Sequence, residues 1–506
     1  MLSPISLVRG KILLNQKKWW PGGKAFANGV IASLDGKLFC NKKRWRFLLV
    51  YLTILTTLLF LYCVIKNNQT FYWDSLTYWG LGQSFFAEGH FSFLNYPETI
   101  RGYSLPLLLG MCGQLGNAFF GNAYVLYWLT SSLMVVLLIA FLLPLLMRVE
   151  FFSLRYMVGA FTAICCFVYF WPFLLIQPNS DLPALTLYAA ILCILKELAC
   201  GKYSLRFSLT MTFLAGVLSY TAYNIRTVYL YPLVLLWGIY LLFVIMKHPI
   251  RGGGHLLAAL LGICVASIPQ IIINQNLYQI LTPKIFTPYN GADNLFLAHL
   301  QAGISSPRYE TYVGDTAIFP TPGVPFQDEI GIALSQNITS VADFLRWVLR
   351  NFLDACALYW EHFVSGITRF NREIYLTEIY VKPIVYLLNC AIFLAGLVGI
   401  ISTASSKKPT ISDAVSVLPF FFLFLPVIMA LFGAVETRFF LPIYLLVYTF
   451  LLLKVSGKTL IDYVCTHKVF VIVLVLTVFL TWNTTAAHIL AEVTPGTLTL
   501  GGQYFP

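Results

Sequence analysis

The sequence predicts an all-α polytopic membrane protein of about eleven transmembrane helices, with juxtamembrane helices and one large ordered loop on the outer side. Three observations predict it. Of the 506 residues 58% are hydrophobic and only 11% charged, with a mean hydropathy of +0.77, whereas a soluble domain needs about 25% charged residues to wet its surface. Apolar runs of bilayer-spanning length recur along the chain. The basic residues gather in short clusters between those runs, alternating from one side to the other.

The first 46 residues hold ten of the 33 Lys and Arg and end in Asn41-Lys-Lys-Arg-Trp-Arg46. The following run, Phe47–Ile65, has no small-residue cleavage site, so it reads as a retained first span with a cytosolic N-terminus. Further runs lie at Asn122–Met147, Tyr156–Ile176, Leu182–Leu195, Phe207–Ile225, Thr227–Met246 and Leu256–Ile273. The last four are Pro383–Ser406, Ala414–Val435, Phe439–Leu453 and Val469–Ala487. Two of them, 182–195 and 439–453, are short and need Lys196 and Lys454 to snorkel. Tyr103–Phe120 is apolar but rich in Gly and Pro, and reads as a surface helix. With it on the surface the charges divide into +17 inside and −5 outside, which give the chain's +12.

Four segments result: a basic cytosolic stretch 1–46, a transmembrane core 47–272 with a first outer loop 66–121, a large outer loop 273–382, and C-terminal helices with a short tail, 383–506. The large loop is longer than a connection requires, and such loops are usually functional or disordered. Its aromatic content argues for order, as does a helical stripe of Val341, Phe344, Leu345, Val348, Phe352, Cys356, Tyr359 and Phe363. Ser340 and Asp343 resemble a capping box at its start. The stripe predicts a structured cap over the outer face, buried against membrane or bundle.

Other classes are excluded by the placement of residues. The basic clusters flank spans instead of lining a groove, so no nucleic acid is expected. The eleven Cys show no CxxC, and Cys165 and Cys166 read as small core residues. His90, His299 and His362 stand in no ligand spacing, and no essential metal or cofactor is expected. Asn68 and Asn337 open formal glycosylation sequons, which carry no further weight.

Ionisable groups at span boundaries are costly to bury, which makes them site candidates by default. Asp74, Glu98, Arg101, Asp181, Arg226, Glu436 and Arg438 converge on one membrane face in this topology. They sit in Phe71-Tyr-Trp-Asp-Ser-Leu-Thr-Tyr-Trp79, Arg101-Gly-Tyr-Ser-Leu-Pro106, Gln177-Pro-Asn-Ser-Asp-Leu-Pro183 and Glu436-Thr-Arg438-Phe-Phe-Leu-Pro442. By themselves these residues indicate a polar site at the outer membrane boundary.

The same segments resemble the GT-C glycosyltransferases of the protein O-mannosyltransferase and lipid A aminoarabinose transferase type. Asp74, Tyr78 and Gly89 match that family's first outer loop, while Ser75 replaces the usual Glu. Arg101 and Pro106 through Gly110 match next, with Gly102 and Tyr103 in place of a Pro pair. Asp181-Leu-Pro-Ala184, Asn224-Ile-Arg226 before Tyr229 and Pro232, and the late Arg438-Phe-Phe-Leu-Pro442 follow in order. The loop 273–382 has no counterpart.

The resemblance implies transfer of a sugar from a polyprenyl-phosphate donor to an acceptor hydroxyl on a polysaccharide, lipid or protein. The setting would be the plasma (inner) membrane, with the active site on its outer face. Asp74 would be the general base. Arg226 and Arg438, with Arg101 behind them, would hold the lipid phosphate through their planar forks. Tyr78, Glu98, Asp181 and Glu436 would complete the substrate site, and the lipid tail would lie between spans. Two other readings compete. An O-antigen ligase or polymerase type would use the loop residues Arg308, Arg346, Arg350, Arg369, Arg372 and His362. A lipid or sugar transporter would show midplane polar groups and repeats, and neither is visible.

Overall fold

The computed structural model describes residues 42–67, 69–97, 101–200, 203–247, 249–285, 295–305, 308–312, 316–319, 338–372, 375–376, 382–405, 411–433 and 435–491. Residues before 42 and after 491, Glu98, Asn68 and Asn337 lie outside the described residues.

The described chain is a polytopic helical membrane protein. The first four helices are α1 (Lys42–Lys66), α2 (Trp73–Ser84), α3 (Ser104–Phe120) and α4 (Val125–Leu146). Then come α5 (Leu154–Phe170), the short α6 (Pro172–Ile176), α7 (Asp181–Cys200), α8 (Leu205–Ile225), α9 (Leu230–Lys247) and α10 (Pro249–Tyr278). The large loop contributes α11 (Leu295–Ser305), β1 (Arg308–Tyr312), β2 (Thr316–Phe319), α12 (Val341–Arg350), α13 (Phe352–Ile367) and β3 (Tyr375–Leu376). The chain closes with α14 (Pro383–Ser405), α15 (Ile411–Leu431), α16 (Leu441–Thr449), α17 (Gly457–Thr466) and α18 (Lys468–Ala491). The strands form a small sheet in the order β2-β1-β3, antiparallel then parallel, added to an otherwise helical fold.

Among the described residues eight helices are long and apolar enough to cross a membrane, and Leu154–Phe170 and Phe420–Leu431 are apolar but shorter. The run expected as one span over 156–176 breaks at Trp171 (φ −130°, ψ 41°), because Pro172 has no N–H to continue the helix. Asp181 opens α7 as expected. Lys196, near its far end, donates to the carbonyls of Leu145 (3.4 Å) and Leu146 (2.9 Å). It thus satisfies the last turn of α4 instead of snorkelling.

Helix direction sorts the molecule into two ends. The basic start of α1 lies beside the α4–α5 connection, where Arg44 stands 5.6 Å from the Phe152 ring. At the opposite end Phe71, just before α2, meets Trp79 and Tyr124, and Trp79 stacks on Tyr124 at 5.1 Å. Helix α3 begins beside α2 and finishes at Tyr124, so both its ends lie at this second end. Backbones of α2 and α3 touch: a Cβ on Gly110 would stand 2.2 Å from the Gly82 carbonyl oxygen. Only glycine permits that approach.

The stripe predicted along 341–363 is not one face. Ser340 caps α12 as expected, its Oγ accepting from the Asp343 amide at 3.1 Å, but the helix ends at Asn351 (φ −114°, ψ 46°) and α13 starts afresh. Phe344, Trp347, Ala355 and Leu358 are buried with Leu297, Leu300 and Ile304 of α11. Val341, Leu345, Phe352 and Cys356 are exposed.

Candidate functional site

The second end of the bundle collects the ionisable residues. Gln177, between α6 and α7, grips the approach to α2: its Nε2 donates to Thr70 O (2.7 Å) and its Oε1 accepts from the Tyr72 amide (3.3 Å). This sets Asp74 in the first turn of α2, where the helix dipole favours a carboxylate. Asp74 accepts from Arg101 Nη2 at 2.6 Å and from Arg438 Nη2 at 2.9 Å. Tyr78, one turn on, is buried with the Arg101 guanidinium 5.2 Å from its ring centre.

Arg101 is held from behind. Gly102 lies directly on the end of α8, where a Cβ would come within 2.0 Å of Asn224 O. The Asn224 side chain begins a buried row of amides. Its Oδ1 accepts from Ser104 N (2.8 Å) and its Nδ2 donates to Gln270 Oε1 (3.0 Å). Gln270 Nε2 donates to Asn274 Oδ1 (3.0 Å), and Asn274 Nδ2 to Thr282 O and Lys284 O, both at 2.7 Å. The loop carrying Arg101 and the end of α8 carrying Arg226 are thereby one unit.

Arg226 leaves α8 in extended conformation, pairs with Asp181 Oδ1, donates to Ser180 Oγ at 3.4 Å and stands 4.4 Å from the Phe439 ring centre. Asp181 occupies the first turn of α7, its amide donating to Asn179 Oδ1 at 2.8 Å. Arg438 joins the pieces. Its Nε meets Glu436 Oε2 at 2.5 Å and Asp181 Oδ2 at 3.9 Å, while its Nη2 donates to Glu436 Oε1 and Asp74 Oδ2, each at 2.9 Å. The side chains linked by these pairs are three guanidiniums and three carboxylates, a cluster of zero formal charge. Burial pushes the Asp74 carboxyl up, but Arg438 and Arg101 outweigh it and hold it down to about 2. For Glu436 burial wins over Arg438, with Asp74 and Asp181 adding to it, and its carboxyl is raised to about 7.

Beside the cluster a small cleft lies between α7, the turn before α9, α15, and the turn and first residues of α16. Asp181, Arg226 and Arg438 line it together with Tyr229, Phe439 and aliphatic side chains such as Leu185 and Leu441.

Six of the predicted residues, Asp74, Arg101, Asp181, Arg226, Glu436 and Arg438, thus meet in space, with Tyr78 against them. Of the loop residues of the competing reading, Arg369 donates to Arg372 O at 2.9 Å, the side chain of Arg308 lies outside the described ones, and the rest make separate contacts. Arg346 pairs with Asp343 on exposed α12, and Arg350 is exposed. His362 sits against Leu431 O at 2.5 Å. Arg369 packs 3.8 Å from the Trp171 ring centre and Arg372 donates to Tyr169 O.

One residue went unrecognised in the sequence. His299, set aside there for want of ligand spacing, lies on α11, which rests on the turn before Glu436: a Cβ on Gly303 would come within 2.5 Å of Gly433 C. His299 keeps an exposed surface, yet burial and the charges of Arg226 and Arg438 hold its imidazole down to about 4, against the pull of Asp74. No signal short of the Gly303–Gly433 contact points to it.

The chain matches no protein-family model, no curated protein and no solved structure.

Proposed function

We propose that the protein is a membrane glycosyltransferase of the GT-C kind, moving a sugar from a polyprenyl-phosphate donor to an acceptor hydroxyl with inversion. The observation that carries this reading is the convergence of Arg101, Arg226 and Arg438 with Asp74, Asp181 and Glu436 beside the cleft. In this reading the eleven apolar runs are eleven crossings, and the site end faces away from the cytosol.

The donor phosphate sits against Arg226 and Arg438, its tail leaving between the turn before α9 and α15. Guanidinium pairs phosphate oxygens bidentately and stabilises the negative charge that grows as the glycosidic C–O bond to phosphate breaks. Asp74 faces the acceptor. Clamped by two arginines it is a weak base, since proton-accepting power falls with pKa. When the phosphate draws Arg438 away, the carboxylate keeps only Arg101 and regains basicity at the moment a hydroxyl must be deprotonated. The acceptor oxygen then attacks the anomeric carbon and polyprenyl phosphate leaves. The ligase-type reading loses support because its arginines are spent on carbonyls, rings and a surface pair.

The test is release of polyprenyl phosphate from a panel of polyprenyl-phosphate sugars by the purified protein, with and without candidate acceptors. Asp74→Asn is expected to lower release by about a hundredfold or more with lipid binding retained. Equal turnover in both proteins would remove Asp74 as base, and binding without turnover for any donor and acceptor would favour a transporter.

A further inference from the structure

Two of the three guanidinium nitrogens of Arg438 face carboxylates. Nε and Nη2 both face Glu436, and Nη2 also serves Asp74. A phosphate that is to be gripped bidentately on the Nε–Nη2 edge of Arg438 must displace Glu436 from it. The cluster is also electrically closed, three positive groups against three negative, so a lipid phosphate added to it leaves one uncompensated negative charge. Beside the buried Asp181, Glu436 and Arg438 such a charge is not left standing; a titratable group takes up a proton instead.

We infer that the lipid phosphate binds together with one proton, taken from solvent onto a carboxylate oxygen of Glu436, and that Arg438 passes from Glu436 to the phosphate. The inference rests on the lipid-phosphate reading above. An O–H bond forms on Glu436, no bond in the ligand breaks, and the sum of ligand charge and proton is zero.

Glu436 is the proton's destination on position and surroundings. It is buried. The groups facing it are Arg438 from its own segment, Asp74 from α2 and Asp181 from α7, with Arg226 behind Asp181 and His299 above on α11. The two carboxylates favour its neutral form, and its carboxyl already stands at about 7 before any anion arrives. Asp74, at about 2 between two guanidiniums, gives up its charge far less readily. His299 starts at about 4 and is the competitor the experiment must separate.

The probe is farnesyl methyl phosphate, a diester that keeps a single negative charge throughout the range tested, bound to the full-length protein in nanodiscs. Between about pH 7 and about pH 9 its Kd is expected to rise close to tenfold per pH unit. Calorimetry in buffers of different ionisation enthalpy is expected to show uptake of close to one proton per ligand at about pH 8. In Glu436→Gln the affinity becomes independent of pH and proton uptake disappears, while His299→Gln keeps both. Binding of the diester without proton uptake in the wild type overturns the inference and leaves the lipid-phosphate reading intact. Uptake lost in His299→Gln but kept in Glu436→Gln also overturns it. Failure of the diester to bind at any pH overturns the lipid-phosphate reading, and this inference with it. The wild-type calorimetry decides even if Glu436→Gln does not fold.

Discussion

Arg438 touches three carboxylates with one side chain, and that is a demand only a planar fork meets. Lysine presents a compact point charge that cannot bridge Glu436 and Asp74 together. Arg438→Lys is therefore expected to weaken lipid-phosphate binding at least about tenfold, because the bidentate grip is lost. Arg438→Met, which strands buried carboxylates, should cost about 3–5 kcal/mol, read as a lowered midpoint of thermal unfolding in detergent. The pH dependence has opposite signs at the two titratable acids. Asp74 is depressed to about 2, so the stability it lends persists above the ordinary carboxylate range and is lost only as pH falls towards 2. Glu436 is raised to about 7, so its contribution is present in acid and is lost as pH rises from the ordinary glutamate value through about 7. Unfolding midpoints of wild type and Glu436→Gln should diverge over that rise, with the Gln protein gaining; a constant difference from pH 5 to about 8 would contradict it. The site was legible at this scale because ionisable residues at span boundaries are costly enough to be conspicuous. Asp74, Arg101, Asp181, Arg226, Glu436 and Arg438 announced themselves that way. His299 did not: it sits in the large loop, and only a contact between two distant glycines brings it over the cluster.

Between elements, the site depends on how closely α2 and α3 approach. Gly82 and Gly110 let their backbones touch, which keeps Asp74 and the Arg101 loop on neighbouring helices. Gly110→Val is expected to destabilise the protein by about 1–3 kcal/mol by overpacking, and to abolish donor turnover. Gly80→Ala, two residues from Gly82 in the same helix, is the control. A Cβ there meets nothing within 4 Å, so the substitution should be neutral or stabilise by about 0.5–1 kcal/mol through helix propensity. Equal behaviour of the two variants in thermal unfolding would dismiss the contact. The sequence conveyed the existence of α3 as an apolar segment rich in Gly and Pro. It conveyed less about α12 and α13. Their apolar spacing runs on through Asn351, and periodicity alone does not show that the chain turns there, leaving Leu349 and Leu353 more than three-quarters exposed or close to it (75% and 79%).

At the scale of the molecule the two ends carry different chemistry, and native cysteines report on them. Cys356 is exposed on α13 at the site end, and Cys465 is exposed on α17 at the other. With the site facing away from the cytosol, a membrane-impermeant maleimide added to intact cells should label Cys356 and spare Cys465, and permeabilised cells should show both. The reverse pattern would invert the orientation. Membrane class was legible here from composition alone, because a chain with 11% charged residues has too little polar surface for water on all sides. Small details were not. The break at Trp171 follows from Pro172 and the use of Lys196 as a cap for α4 from hydrogen bonds to a neighbouring helix, and hydropathy encodes neither.

The amide row behind Arg101 has a direction. From Ser104 through Asn224, Gln270 and Asn274 to the carbonyls of Thr282 and Lys284, every donor points the same way. Its members behave like magnets laid head to tail, each fixing the sense of the next. Turning one amide over would set oxygen against oxygen on one side and N–H against N–H on the other, so the row changes as a whole or not at all. An acid in place of Gln270 removes the hydrogen that its neighbour's oxygen awaits. The fault would be felt at both termini of the row, in the loop after α10 and at the arginine loop beyond Ser104, with no residue of the site itself altered.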